Sequence, residues 1–166
     1  MKKGLPENIK KAFRDLDFTD NQIIAGVWWL KRGGMEVCIA SHQFLEQVAN
    51  KMQVEFLPKP EKLYANGEGK SLSVAMLVYG KYKDKAIWTT GESNPSNTKN
   101  DYPWAMAEKR GKDRIVIKFL NLEDLLYSDT EEYNIKTSTK DSPEPVKSDF
   151  KKTKKLEEKP TDKLGW

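Results

Sequence analysis

Apolar residues recur at helical spacing directly after a polar, turn-rich loop in the second half of the chain. The loop, residues 91–101, is rich in Asn, Ser and Pro, and short polar side chains satisfy the backbone locally and favour turns. A helix is predicted from Pro103 to about Leu120, with Asn100 or Asp101 as its cap. Pro103 falls near the first helical position, where its missing N–H costs nothing.

This predicted helix carries apolar residues on two nearly opposite faces. The first face contains Trp104, Ala107, Gly111, Ile115 and Phe119, and the second contains Met106, Ile117 and Leu120. Because a single sheet can cover only one of these faces, a second layer or a second subunit must cover the other.

Cations lie along the helix between its two apolar faces. The five positions are Lys109, Arg110, Lys112, Arg114 and Lys118. Three of them repeat every fourth residue and are expected to stack into a basic ridge, which suits a phosphate backbone because regularly spaced cations displace its counterions. The alternative is an ordinary solvated face in which Glu108 and Asp113 are the ionic partners.

Shorter patterned segments predict the other elements. The predicted helices are residues 5–16 and, capped by Ser41, His42 to Met52, and the predicted strands are 27–30, 35–40, 54–57, 71–79 and 85–90. The first two strands flank Gly33-Gly34 and predict a hairpin, with helix as an alternative for 21–30. The last two, around residues 80–84, carry the clearest β signal. The sequence thus predicts an α+β fold, an antiparallel sheet of hairpins packed against the long helix.

The composition changes after residue 135. Large apolar residues almost vanish over 136–166, so burial cannot offset the entropy of ordering that segment. We expect an α+β domain over residues 1–135 and a disordered charged tail over 136–166. The terminal Trp166 is out of character with this tail and is a candidate contact for a protein partner, the alternative being an incidental exposed Trp.

The formal net charge of +4 is unevenly distributed. Nine Lys against six Asp or Glu give the tail +3, which leaves +1 for residues 1–135. The basic balance alone is therefore weak evidence for a nucleic-acid partner. No segment approaches the roughly 18 apolar residues that span a bilayer. A cytoplasmic protein without membrane contact is expected, in the host cytoplasm if the chain is phage-encoded.

Residue counts limit the chemistry. Cys38 is the only Cys and His42 the only His, so neither a disulfide nor a histidine or cysteine metal site can be built from them. Cys38 lies in an apolar run and is expected to be buried, whereas His42 is expected to have a packing or surface role. No phosphate-cradling glycine-rich loop is present. We expect no cofactor and no enzymatic activity.

An enzymatic alternative rests on carboxylates. The candidates, which cluster in sequence, are Glu92, Asp101, Glu108 and Asp113. Carboxylates hold Mg²⁺ and orient an attacking water in small nucleases. However, Glu108 and Asp113 lie five residues apart on one helix, which is a poor shared face.

Aromatic residues alternate with cations around the central hairpin. The aromatic residues are Tyr79, Tyr82 and Trp88, and the lysines are Lys70, Lys81, Lys83, Lys85 and Lys99. Stacking platforms beside a basic groove are what sequence-independent single-strand binding needs, because every base has a π-face. The alternative is that Trp88 belongs to the core and that the loop lysines only increase solubility.

Two antiparallel strands followed by a long helix reading AMAEKRGKDRIVIKFLNL resemble the core of phage single-strand annealing proteins of the Sak, Erf and Red-beta group. The resemblance covers residues 71–122 and includes a polar loop and a helix of the type AxxxAxKRAxxRAxxxLG. It implies rings or filaments that hold single-stranded DNA in a basic groove and pair complementary strands without ATP. It also implies that the five cations of the helix contact DNA or a neighbouring subunit. Gly111 departs from the family's usual Ala, at a cost to the helix of about 1 kcal/mol.

We therefore expect a homo-oligomeric protein that binds single-stranded DNA and promotes annealing in phage recombination or replication. One alternative is a Mg²⁺-dependent nuclease that uses Glu92, Asp101 or Glu108. Another is a protein-binding adaptor, or an inhibitor of a host system, that contacts its partner through the tail.

Overall fold

The computed structural model describes residues 4–32, 34–57, 61–98 and 101–131. Its helices are α1 (Glu7–Arg14), α2 (Asp20–Gly26), α3 (His42–Met52) and α4 (Pro103–Phe119). Its strands are β1 (Val27–Arg32), β2 (Met35–Ala40), β3 (Glu55–Phe56), β4 (Glu61–Asn66), β5 (Ser73–Tyr82), β6 (Lys85–Ser93) and β7 (Leu126–Ser128). The predicted α+β class is confirmed, with the long helix α4 packed against strands. The predicted disordered tail lies outside the described residues.

The strands form two sheets. In the first, the N-terminal sheet, β1 and β2 form the predicted hairpin and β7 joins β2 in parallel. In the second, the hairpin sheet, β5 is central. Strand β6 pairs along one side of β5, and β3 and β4 pair with successive parts of its other side, all antiparallel. Among the described strands, β6 therefore forms one complete edge of the hairpin sheet.

Helix α4 lies between the hairpin sheet and the main apolar core. It contacts β5 and β6 on one side and α3 and β7 on the other. Val116 and Ile117 of α4 belong to the core that α1, α2 and α3 also line. Within that core, Phe13 and Phe18 each pack edge to face against Phe44. The second layer predicted for α4 is thus supplied by the same chain.

Two glycines allow α4 to approach the hairpin sheet closely. A Cβ built on Gly91 of β6 would lie 1.8 Å from the carbonyl oxygen of Ala107, inside any possible contact distance. A Cβ built on Gly111 of α4 would lie 2.4 Å from Cγ2 of Val78. Glycine at position 111 weakens the isolated helix, but in the folded chain its lack of a side chain allows α4 to pack closely against Val78.

The central hairpin is tighter than its sequence predicts. Strand β5 continues to Tyr82, which pairs with Lys85, so the turn contains only Lys83 and Asp84 rather than residues 80–84. Strand β4 has no counterpart among the predicted elements. Its residues lack strict alternation of apolar and polar side chains, and a bulge between Lys62 and Tyr64 shifts its register.

The bounds of α1, α3 and α4 agree closely with the predicted ones, apart from one cap, whereas α2 and β1 divide the segment 21–30, for which helix is only the alternative to a strand at 27–30. Ser41 caps α3 as predicted, its hydroxyl accepting from the Phe44 amide. Pro103 is the first residue of α4, but its N-cap is Tyr102, whose side chain makes no capping hydrogen bond. Asp101 is therefore not the cap, and Asn100 lies outside the described residues.

Candidate nucleic-acid interface

Arg110 is buried rather than part of an exposed ridge. Its side chain is only 1% exposed, which makes it the largest fully buried side chain among the described residues. Its guanidinium donates to the carbonyl oxygens of Thr130 (2.6 Å), Glu92 (2.7 Å) and Asn97 (2.6 Å). It also donates to the side chains of Asn97 and Thr98. Burial lowers the pKa of Arg110, opposed by the nearby carboxylates of Glu131 and Glu92.

Arg114 is also occupied within the fold. Its guanidinium pairs in bidentate fashion with the carboxylates of Glu92 and Glu131, at 2.5–2.8 Å, and donates to the carbonyl oxygen of Thr90. These hydrogen bonds, above all that with Glu92, raise the pKa of Arg114 and lower that of Glu92. Arg110 and Arg114 together hold the edge of β6 against the last described turn. The expected exposed ridge is therefore not formed.

The remaining cations of α4 differ in their surroundings. Lys112 forms an ion pair at 2.6 Å with Glu108, one helical turn away, as expected if this side of the helix is an ordinary solvated face. The Lys112 ammonium also lies 5.6 Å from the centre of the Phe56 ring. Lys109 is exposed. Lys118 is exposed near the end of α4, with its ammonium 3.4 Å from the hydroxyl of Thr89.

The face of the hairpin sheet that points away from α4 carries aromatic side chains. Gly91 and Thr89 of β6 are buried on the α4 side, so the alternation of a strand places Trp88 on the opposite side. Trp88 is 60% exposed and lies directly opposite Tyr79 of β5 in the sheet register. Trp88 is thus not a core residue. We call this pair and its surroundings the open face.

Other residues extend the open face. Tyr64 of β4 pairs with Ala75 and is 50% exposed, and Lys81, two residues after Tyr79, is exposed opposite Glu55. Glu61 lies 3.5 Å from the Tyr79 hydroxyl. The face therefore combines aromatic rings, a cation and two carboxylates. The sequence does not predict that Tyr64 lies on this face, because the bulge in β4 interrupts the alternation of side chains between the two faces of the sheet.

The lysines predicted around the hairpin turn do converge. Lys81, Lys83 and Lys85 are all exposed, and the Lys83 ammonium lies 5.0 Å from the centre of the Tyr82 ring. Lys70 is exposed in a 3₁₀ turn that precedes β5. Lys99 lies outside the described residues, as does Trp166. The structure therefore places three of the five predicted hairpin lysines at one end of the sheet.

A buried polar cluster centres on Asp113 of α4. One carboxylate oxygen of Asp113 lies 2.7 Å from Nδ1 of His42, and the other accepts from the hydroxyls of Ser128 (2.5 Å) and Thr130 (3.1 Å). The His42 amide donates to Asp129, whose pKa is raised by burial. This cluster joins α3, α4 and the segment after β7. Sequence reasoning did not connect these residues, because they come from three distant segments.

The order of groups in this cluster does not match a nucleophilic triad. In such a triad the histidine lies between the serine and the carboxylate, whereas here Asp113 lies between Ser128 and His42. The hydrogen bond with Asp113 raises the pKa of His42, against an opposing effect of burial. This geometry indicates a charged contact between His42 of α3 and Asp113 of α4, rather than a Ser128 hydroxyl that is activated for nucleophilic attack.

The carboxylates of the nuclease alternative are not brought together. Glu92 pairs with Arg114, Glu108 pairs with Lys112, and Asp113 faces His42. Within the described part of the chain, no group of three or more His, Cys, Asp or Glu side chains is arranged to hold a metal ion.

No helix of the described segments is both long and apolar enough to cross a membrane. No protein-family model matches the chain, and no curated protein is significantly similar to it in sequence.

Proposed function

We propose that this protein binds single-stranded DNA on the open face of its hairpin sheet. The observation that carries the proposal is the cross-strand pair of Tyr79 and Trp88, on a sheet face that α4 does not cover. The Trp88 side chain is 60% exposed, and an exposed aromatic ring is well suited to stack on an unpaired base. A duplex cannot use this platform, because its bases are already stacked on each other.

The lysines next to this platform would supply the phosphate contacts. Lys81 lies on the same face as Tyr79, and Lys83 and Lys85 follow around the turn. Ammonium groups in water neutralise phosphates and release counterions, so the affinity should fall steeply with salt and depend little on sequence. This assignment keeps the expected contacts of the hairpin lysines and omits those of Arg110 and Arg114, since both arginines are engaged inside the fold.

The test compares Trp88→Ala with an equally exposed apolar residue elsewhere. Fluorescence anisotropy of a labelled thirty-residue oligothymidylate, without Mg²⁺ and at two salt concentrations, gives the affinity. Loss of one stacking contact costs about 1–3 kcal/mol, so Trp88→Ala should weaken binding by about 5- to 150-fold. Ile24→Ala, at a residue that is 64% exposed on α2, is the matched control and should leave the affinity unchanged. Equal affinities of the two variants, each with an unaltered circular dichroism spectrum, would refute the proposal.

We further propose, on the resemblance to phage annealing proteins, that the bound strand is presented for pairing with its complement by a homo-oligomer. Supporting this, stacking on one face of the bases leaves their hydrogen-bonding edges accessible. The expected result is faster annealing of two complementary strands without ATP, with sedimentation showing an assembly larger than one chain. Loss of labelled strand on addition of Mg²⁺ would instead select the nuclease alternative.

A further inference from the structure

A second concave feature lies beyond the open face, at the end of the β5–β6 hairpin. This hairpin-end cavity has a volume of about 530 Å³ and lies between the hairpin turn and the C-terminal end of α4. Its floor is formed by Tyr82, Ile87 and Phe119, and the rings of Tyr82 and Phe119 meet edge to face at 5.7 Å. The volume is within the range of cavities that bind small organic ligands.

Three lysines from two distant segments line this cavity. Lys83 and Lys85 come from the hairpin and Lys118 comes from α4. Asp84 and Glu123 line the same cavity, yet none of the three lysines forms an ion pair with a carboxylate of the described residues. By contrast, Lys112 on the same helix pairs with Glu108. The cavity thus combines an aromatic floor with a rim of available cations.

The backbone at the turn is consistent with a role for the lysine itself. Lys83 has a φ of 54°, in the left-handed region that glycine and asparagine adopt at least cost. Hairpin turns that need this conformation usually contain one of those two residues. Asn121, on the opposite wall, has the same φ of 54° and is the usual residue type for it. The hairpin turn thus has a lysine at position 83, where glycine or asparagine would adopt the left-handed backbone conformation at lower cost.

We infer that the hairpin-end cavity binds one nucleotide unit, with the base against Tyr82 and Phe119 and the phosphate among Lys83, Lys85 and Lys118. The inference rests on the proposed function and adds a second contact for the same strand. Lys85 is three residues from Trp88, or about 10 Å along β6, but alternation places it on the α4 side of the sheet, so one extended strand reaches both places by passing around the hairpin end. A free nucleotide has the same chemistry, and the experiment distinguishes the two sources.

The experiment uses the full chain and two probes. Amide resonances of Phe119, Asn121 and Glu123, which line the cavity and are not used by the proposed function, are followed by NMR during titration with thymidine monophosphate and, separately, with a twenty-residue oligothymidylate. Movement of these resonances with the oligonucleotide is expected. Movement with the mononucleotide alone would support the cavity as a nucleotide site and assign it to free nucleotides. Resonances that stay fixed with both probes would overturn the inference.

Salt dependence gives an independent readout. The rim variant Lys118→Gln removes the cation of the rim that the proposed function does not use, so the slope of log affinity against log salt should fall by about 0.7, the value for one phosphate contact on a single strand. The matched control is Lys11→Gln, which removes one exposed lysine from α1 and should keep the slope. An unchanged slope in the rim variant would also overturn the inference.

The two proposals fail in different ways. Binding that is lost in Trp88→Ala but unaffected by the rim variant leaves the open face in place and removes the hairpin-end cavity. If the oligonucleotide does not bind the wild-type chain at low salt, the proposed function is wrong, and the mononucleotide titration alone decides whether the cavity is a nucleotide site.

Discussion

Replacing Gly111 by alanine has two opposite effects on the free energy of unfolding: alanine favours the helix, but its methyl group has no room in the folded chain. In an isolated helix the change is favourable by about 0.8–1.0 kcal/mol, because alanine restricts the unfolded backbone more than glycine does. In the folded chain the new methyl group would lie 2.4 Å from Cγ2 and 3.0 Å from Cβ of Val78, which is 2% exposed. Val78 belongs to the central strand of the hairpin sheet and has little room to move.

Insertion of a methyl group into a well-packed contact typically costs about 1–3 kcal/mol. Subtracting the helix gain leaves an expected net loss of up to about 2 kcal/mol for Gly111→Ala. Urea unfolding, followed by far-ultraviolet circular dichroism at constant m-value, measures this change in the free energy of unfolding. The difference between Lys109→Ala and Lys109→Gly, at an exposed site of α4, calibrates the propensity effect alone.

A double-mutant cycle identifies the contact responsible. Val78→Ala removes both γ carbons, including the Cγ2 atom that the new methyl group meets, so Gly111→Ala should cost less in that background than in the wild type. A coupling of about 1 kcal/mol or more is expected. Stabilisation by Gly111→Ala in the wild-type background, or a cycle without coupling, would refute the packing explanation.

Two further predictions concern charged groups inside the fold. Arg110→Met leaves the partly buried carbonyl oxygens of Thr130, Glu92 and Asn97 without the donors that Arg110 supplies, and at about 1–3 kcal/mol for each unsatisfied group it should lower the free energy of unfolding by about 3 kcal/mol or more. Lys109→Met, at an exposed site, should stay within about 0.5 kcal/mol, and similar losses in the two variants would contradict the buried role of Arg110. His42 has a raised pKa in the folded state, so its contribution to stability is complete below the unfolded pKa of about 6.5 and is lost as the pH rises through the folded value. Urea unfolding at about pH 5 and at about pH 9, on either side of that value, should show this loss in the wild type and not in His42→Asn. Equal profiles would exclude the ion pairs of His42 with Asp113 and Glu46 as its cause.

Much of the fold follows from local patterns. The α3 boundaries, the first hairpin and the extent of α4 agree with prediction because amphipathic spacing, a serine cap and paired glycines act over a few residues. Strand β4 is not predicted from its local pattern, because a bulge interrupts the alternation of its side chains and because the strand is defined by its pairing with β5. The position of Trp88 on the outer face also follows from alternation, once the side of the sheet that α4 covers is known.

The charged residues of α4 show where local patterns stop. The fourth-residue spacing of Arg110 and Arg114 correctly places them on one side of the helix. That side meets carbonyl and carboxylate groups of residues 90–98 and 130–131, which no property of the helix sequence reveals. An arginine facing water and one facing a ring of acceptors have the same local sequence signal. Only the long-range arrangement of the chain distinguishes them.

The contacts of Arg110 and Arg114 also bear on how the protein resists aggregation. An open sheet edge invites strands of other chains, because its carbonyl and amide groups can continue the hydrogen-bond ladder. On β6 the carbonyl oxygens of Thr90 and Glu92 are already occupied by the two guanidinium groups. An incoming strand must displace both arginines before it can pair there. Pairing of a second molecule with β6 is therefore opposed at Thr90 and Glu92, where the edge carbonyl groups already have donors.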